Sequence, residues 1–149
     1  MIECRTTTPR QTAAVARRFA AALPPPPLHL HLRGELGAGK TLWARALIAA
    51  LGGASAPSPS FALALSYPLP AMPVHHLDLF RLPIGAPLPE ELRELLDEDA
   101  LCLIEWPERA SDIPAADIRL SLDFSGTGRR LAFAAESARG GECLQKFSG

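Results

Sequence analysis

Eight residues constrain this chain more than any others: Gly34-Glu-Leu-Gly-Ala-Gly-Lys-Thr41. They fit G-x-x-x-x-G-K-[ST] without a mismatch, the pattern of a loop that cradles phosphates. The chemistry demands these residue types. Glycines let the backbone turn tightly and aim several N–H groups at phosphate oxygens. A following helix adds the positive end of its dipole. Lys40 supplies a mobile charge for the outer phosphates, and the Thr41 hydroxyl is a magnesium ligand.

The neighbouring residues separate this motif from a glycine turn with an incidental lysine. Leu28-His-Leu-His-Leu-Arg33 alternates as a strand does. Residues 40–51 are rich in alanine and leucine and stop at Gly52-Gly53, as a helix does. A strand, the loop and a helix follow in the order that phosphate binding requires. Lysine is also scarce: the chain has thirteen arginines but only Lys40 and Lys146.

The rest of the chain reads as alternating elements. Thr8 and Pro9 start a helix, a hydroxyl cap before proline at the first helical position. Val15, Phe19 and Leu23 follow at helical spacing, and Pro24 to Pro27 end it. Phe61 to Tyr67 and Val74 to Leu79 are candidate strands. Pro89 to Leu96 is a short helix with Glu90 and Glu91 in its first turn, where the dipole favours them. Leu101-Cys-Leu-Ile-Glu105 has the apolar run of a buried parallel strand. Ile118 to Phe124 and Leu131 to Ala135 pair as a hairpin across Gly126 and Gly128. The expected fold is α/β: one P-loop NTPase domain over residues 1–135, with a central, mostly parallel sheet, an antiparallel hairpin and flanking helices. Residues 136–149 read as a polar, mobile tail.

Composition narrows the function. With 149 residues and 48% apolar content, the chain builds one core. A formal net charge of -1 gives no basic excess of the kind that marks DNA binding. Cys4, Cys102 and Cys143 have no zinc or redox spacing and read as reduced thiols. No apolar run reaches membrane-spanning length, and the N-terminus lacks a signal-peptide core. The expectation is a cytoplasmic protein.

A P-loop site needs a carboxylate at the end of a neighbouring strand. Glu105 is the first candidate and Asp78 the second; one can serve the metal while the other orients the attacking water. Asp78 also reads as a turn residue or a partner of Arg81. Ser58-Pro-Ser60 lies where a switch loop senses the terminal phosphate, although an ordinary loop has the same composition. His29 and His31 share a strand face with no third ligand, which suggests a partly exposed face. His75 and His76 point to opposite faces, and at least one is structural. Arg129 has the reach to touch a phosphate or stack on a base, or it is a solvated turn residue.

The nucleotide is ATP by elimination. GTPases read guanine with Asn-Lys-x-Asp, and this chain has no asparagine. A small-molecule kinase needs a substrate domain and an arginine-bearing lid, for which the residues between Leu79 and Leu101 are too few.

Four motifs then line up in order: Gly34 to Thr41, Ser58-Pro-Ser-Phe-Ala-Leu63, His76-Leu-Asp-Leu-Phe-Arg81 and Leu103-Ile-Glu-Trp-Pro107. Together they resemble the TsaE family, the small ATPase of bacterial tRNA threonylcarbamoyladenosine synthesis, over residues 8 to 135. The resemblance implies a partnership with TsaB and TsaD, which transfer a threonylcarbamoyl group to an adenosine beside the tRNA anticodon. Contact with tRNA would be indirect, through that complex. It implies that Gly34 and Gly37, Ala38, Gly39, Lys40, Thr41 and Leu42 wrap the phosphates, and that Thr41 and Glu105 hold magnesium. Asp78 would sit at the terminal phosphate, Arg129 would approach the nucleotide, and Arg10 or Gln11 would contact it. Leu42, Ser60, Ala62 and Phe80 depart from the family pattern. A nucleotide-dependent binding module without essential hydrolysis is the alternative from another class.

Overall fold

The computed structural model describes residues 1–53, 58–61 and 63–149, with 58–61 described by backbone alone. Among the described residues, eight strands form one sheet in the order β1-β8-β7-β2-β6-β5-β4-β3. The strands are β1 (Ile2–Thr6), β2 (Leu28–Arg33), β3 (Ser58–Phe61), β4 (Ala64–Pro68), β5 (Pro73–Asp78), β6 (Leu101–Glu105), β7 (Ile118–Ser125) and β8 (Gly128–Ala135). The helices are α1 (Pro9–Ala20), α2 (Lys40–Ala50), α3 (Glu90–Leu96) and α4 (Ala138–Ser148). The centre, β7-β2-β6-β5, is parallel; both flanks are antiparallel. This is the expected α/β P-loop architecture, with the expected hairpin made by β7 and β8.

Alternation in β2 decides which face is covered. Leu28, Leu30 and Leu32 point into a core shared with Val15 and Phe19 of α1, Trp43 and Leu47 of α2, and Phe147 of α4. Phe19 is the hub, with ring centroids of Trp43, Phe133 and Phe147 each 5.4 Å away. On the opposite face a smaller core joins Leu77, Cys102 and Ile104 to Leu92 and Leu96 of α3. β6 is buried at all five positions, as a strand covered on both faces must be.

Three expectations are corrected. Residues 138–148 are not a mobile tail: Ser137 caps α4 by accepting from the Gly140 N–H, and Cys143, Leu144 and Phe147 are buried. Burial of an apolar stripe outweighs the helix penalty of Gly140 and Gly141. The strand expected over Phe61 to Tyr67 is two strands, β3 and β4, paired antiparallel. The backbone of Ser58–Ser60 lies in β3 rather than in a loop; the side chains of these residues, and Ala62, fall outside the described residues.

Candidate active site

The parallel centre aligns three strand ends. β2 runs into Gly34–Gly39, β6 ends in Glu105, and Asp78 at the end of β5 stands in register with Glu105. Ligands of open α/β sheets gather at this carboxyl end. A cavity of about 430 Å³ opens there, lined by the P-loop, Asp78, Glu105, Trp106 and Arg129.

Gly39 caps α2 with φ at 109°, a left-handed conformation that glycine adopts without penalty. No side chain caps the helix, so its first N–H groups are suited to an anion. Lys40 is only 5% exposed. Its Nζ donates to the Gly34 carbonyl and, at 3.3 Å, to the Glu35 carbonyl. It also lies 3.9 Å from the centroid of the Trp106 ring. Burial pushes its pKa below the ordinary lysine value, while Glu105, Glu108 and Asp78 pull it back up. Trp106 reaches this position through a left-handed turn, φ 58° and ψ 48°, a conformation that costs a non-glycine residue about 1–2 kcal/mol.

Glu105 is 2% exposed and fully engaged. The Thr41 hydroxyl donates to its carboxylate, at 2.8 Å to Oε1 and 3.0 Å to Oε2. His76 Nε2 lies 2.6 Å from Oε2. A carboxylate this deep needs such partners, because burying an unpaired charge is far costlier than burying a paired one. Asp78 is exposed, and its Oδ1 accepts the Phe80 N–H at 3.1 Å. The turn-aspartate reading therefore holds alongside its place in the cavity wall.

Arg129 meets the loop rather than open water. Its Nε donates to Ala38 O at 3.0 Å and its Nη2 to Gly37 O at 3.3 Å, with the guanidinium 4.4 Å from the Phe124 centroid. Leu42 is exposed on the cavity wall.

Sequence reasoning missed one whole wall. Thr6 to Thr8, Pro9 and Thr12 line the cavity, next to Thr127 and Gly128 at the start of the neighbouring β8. Their only sequence signal is the helix cap at Thr8. Of the two N-terminal candidates, Arg10 is exposed and not in the cavity wall. Gln11 is also outside the wall, and its Oε1 accepts from the Thr7 N–H at 2.6 Å and from the Thr7 hydroxyl at 2.9 Å.

None of the four histidines lines the cavity. His75 bridges Ser66 and Glu98, each at 2.8 Å. His29 is half-buried, with Nε2 at 3.0 Å from Leu96 O. His31 is 5% exposed rather than partly exposed as expected, because residues 114–116 cover that part of the sheet. Among the described residues, no three His, Cys, Asp or Glu side chains form a metal cluster. No helix among them is long and apolar enough to cross a membrane.

Comparison with known proteins agrees with this fold. Residues 6–131 match the family described as threonylcarbamoyl adenosine biosynthesis protein TsaE. The tRNA threonylcarbamoyladenosine biosynthesis protein TsaE of Haemophilus influenzae is 33% identical over 126 residues, covering 80% of this chain and 77% of that protein. The Bacillus subtilis protein of the same name is 30% identical over 136 residues, covering 87% and 82%. A crystal structure of Bacillus subtilis YdiB superposes with a TM-score of 0.79 at 26% identity, covering 99% of this chain and 93% of that one. This chain therefore belongs to the TsaE family, whose members serve tRNA threonylcarbamoyladenosine biosynthesis.

Proposed function

We propose that this protein is a cytoplasmic ATPase that binds ATP with magnesium and acts with TsaB and TsaD to threonylcarbamoylate the tRNA adenosine beside the anticodon. The observation that carries this reading is the Thr41–Glu105 hydrogen bond in the wall of the P-loop cavity. It joins the hydroxyl and the strand-end carboxylate that a P-loop site uses for magnesium.

The donor chemistry fits that ion. Thr41 and Glu105 offer only oxygen ligands, which suit a hard cation that takes its other ligands from phosphates and water. Bound magnesium would neutralise charge on the outer phosphates. Lys40 would turn from the Gly34 carbonyl to the phosphates, and the N–H groups of Gly37 to Leu42 would wrap them. Asp78, beside Glu105, would orient the attacking water. Arg129 would keep the Gly37 and Ala38 peptides in shape rather than neutralise phosphate itself.

The test is magnesium-dependent ATP hydrolysis by the chain alone and with purified TsaB–TsaD, with Lys40→Ala as the blank. Stimulation by the pair, abolished in the blank, is the expected result. Equal turnover with and without the pair would reject the partnership. The binding-only alternative predicts that Asp78→Asn still supports tRNA modification, whereas the ATPase reading predicts that it does not.

A further inference from the structure

Among the described residues His76 is a buried polar side chain, 7% exposed, whose partner is a carboxylate of the candidate site. Its place in the sheet is specific. β5 and β6 are parallel neighbours, with His76 in register with Leu103 and Asp78 in register with Glu105. Successive residues alternate faces, so His76, Asp78 and Glu105 share one face, and Glu105 has two β5 neighbours there. Asp78 is exposed and turned into its own Asx turn. His76 is buried and contacts Glu105 Oε2 at 2.6 Å. A carboxylate offers only acceptors, so Nε2–H donates. The contact touches one carboxylate oxygen, while the shorter Thr41 bond is to the other, Oε1.

We propose that His76 is a positioning residue that fixes the Glu105 carboxylate in the orientation needed to hold magnesium with Thr41. A glutamate has three torsions before its oxygens, and the single Thr41 hydroxyl hydrogen, shared between Oε1 and Oε2, leaves the group free to pivot about that one donor. A second donor, from a rigid strand rather than a loop, removes the pivot. Groups behind a metal ligand act in this way, and their removal typically costs 10–100-fold in metal affinity. The proposal rests on the magnesium–nucleotide reading above.

The experiment is calorimetric titration of ADP in excess magnesium and in excess EDTA, on wild type and on His76→Ala, His76→Phe and His76→Gln, each first checked by thermal melting. Phenylalanine keeps the ring volume without a donor; glutamine places an amide N–H near the position of Nε2. The alanine and phenylalanine variants should lose about tenfold or more of the affinity that magnesium adds. Their affinity in EDTA should stay within about threefold of wild type, and glutamine should restore the magnesium gain. Equal losses in both buffers would make His76 a packing residue and overturn the proposal. So would an intact magnesium gain in the alanine and phenylalanine variants, or a folded glutamine variant that fails to restore it. Wild type that binds no ADP in either buffer would instead remove the nucleotide reading. Wild type that binds ADP without help from magnesium would remove the metal reading, and the proposal with it.

Discussion

Arg129 Nε and Ala38 O lie 3.0 Å apart, a hydrogen bond between β8 and the P-loop across 91 positions of sequence. With the second bond to Gly37 O, it makes the guanidinium a planar brace for two consecutive loop peptides. Arg129→Ala should weaken ATP binding by about 10–100-fold, the equivalent of one charge-assisted hydrogen bond. Arg129→Lys should not recover it, because an ammonium cannot reproduce the fork. Equilibrium binding of ATP to both variants checks this, and wild-type affinity in the lysine variant would reject the brace.

Lys40 is held charged in a place that disfavours charge. Its lowered pKa means that the ammonium is lost on the alkaline side before pH 10.5 is reached. Nucleotide affinity should therefore fall as pH rises into that region. The stability cost of the buried charge is present in full at neutral pH and is relieved as pH rises through the folded value. Lys40→Met should abolish nucleotide binding and yet raise the melting temperature by about 2–4 °C. A lower melting temperature for the methionine variant would show that the carbonyl and Trp106 contacts outweigh desolvation.

His31 makes the fold acid-sensitive. Burial, first, and then Arg33 and His29 push its pKa from 6.5 down to about 4. Between those values the unfolded chain takes up a proton that the folded chain refuses. Stability should therefore drop as pH falls through that window, by about 3 kcal/mol at most from this residue. Urea unfolding at several pH values should show a flatter profile for His31→Gln. An unchanged slope would assign the acid sensitivity elsewhere.

Gly128 is where β8 starts against the N-terminal strand. A Cβ there would overlap the Thr6 carbonyl oxygen. Gly128→Ala should cost more than about 2 kcal/mol, and it should also loosen the threonine wall of the cavity. Reduced ATP affinity in a variant that still melts cooperatively would separate the two effects. Wild-type stability would mean that the two strands can move apart freely.

Helix α4 is part of the core. Phe147 lies 5.4 Å from Phe19 and 5.0 Å from Phe133 between ring centroids. Phe147→Ala should cost about 3 kcal/mol by thermal or denaturant unfolding. A chain ended after Ala135 should be more strongly destabilised still. A truncated chain as stable as the whole would restore the picture of a dispensable tail.

These cases also mark how far the sequence could be read. The P-loop, β2, α2 and β6 were legible because their signals are local: a fixed motif, an alternation, an apolar run closed by a carboxylate. The strand β1 was not, although Ile2, Cys4 and Thr6 alternate with Glu3 and Arg5. Five residues are a weak pattern, and its partner is Cys4 against Leu131, at the other end of the chain. Helix α4 was hidden by Gly140, which the fold needs because a Cβ would overlap the Asp117 carbonyl oxygen. In the site, the acidic strand ends could be found, since each carboxylate closes a short, mostly apolar run. The threonine wall could not, and Arg129 was reached only through the family resemblance, since the residues around it left a solvated turn equally open. Each depends on which distant strand lies beside it, and no local pattern carries that information.

The β1–β8 pairing also sets when a working site can exist during synthesis. The phosphate loop leaves the ribosome early, but Arg129, the group that shapes its peptides, is made some ninety residues later. The threonine wall is made earlier still, yet it waits for Leu131 and Phe133 before its strand has a neighbour. A nascent or prematurely terminated chain thus displays the complete glycine–lysine–threonine motif without a pocket around it. If the proposed nucleotide binding holds, capture should begin only after β8 closes the sheet, and the ligand should stabilise only chains that have reached that point.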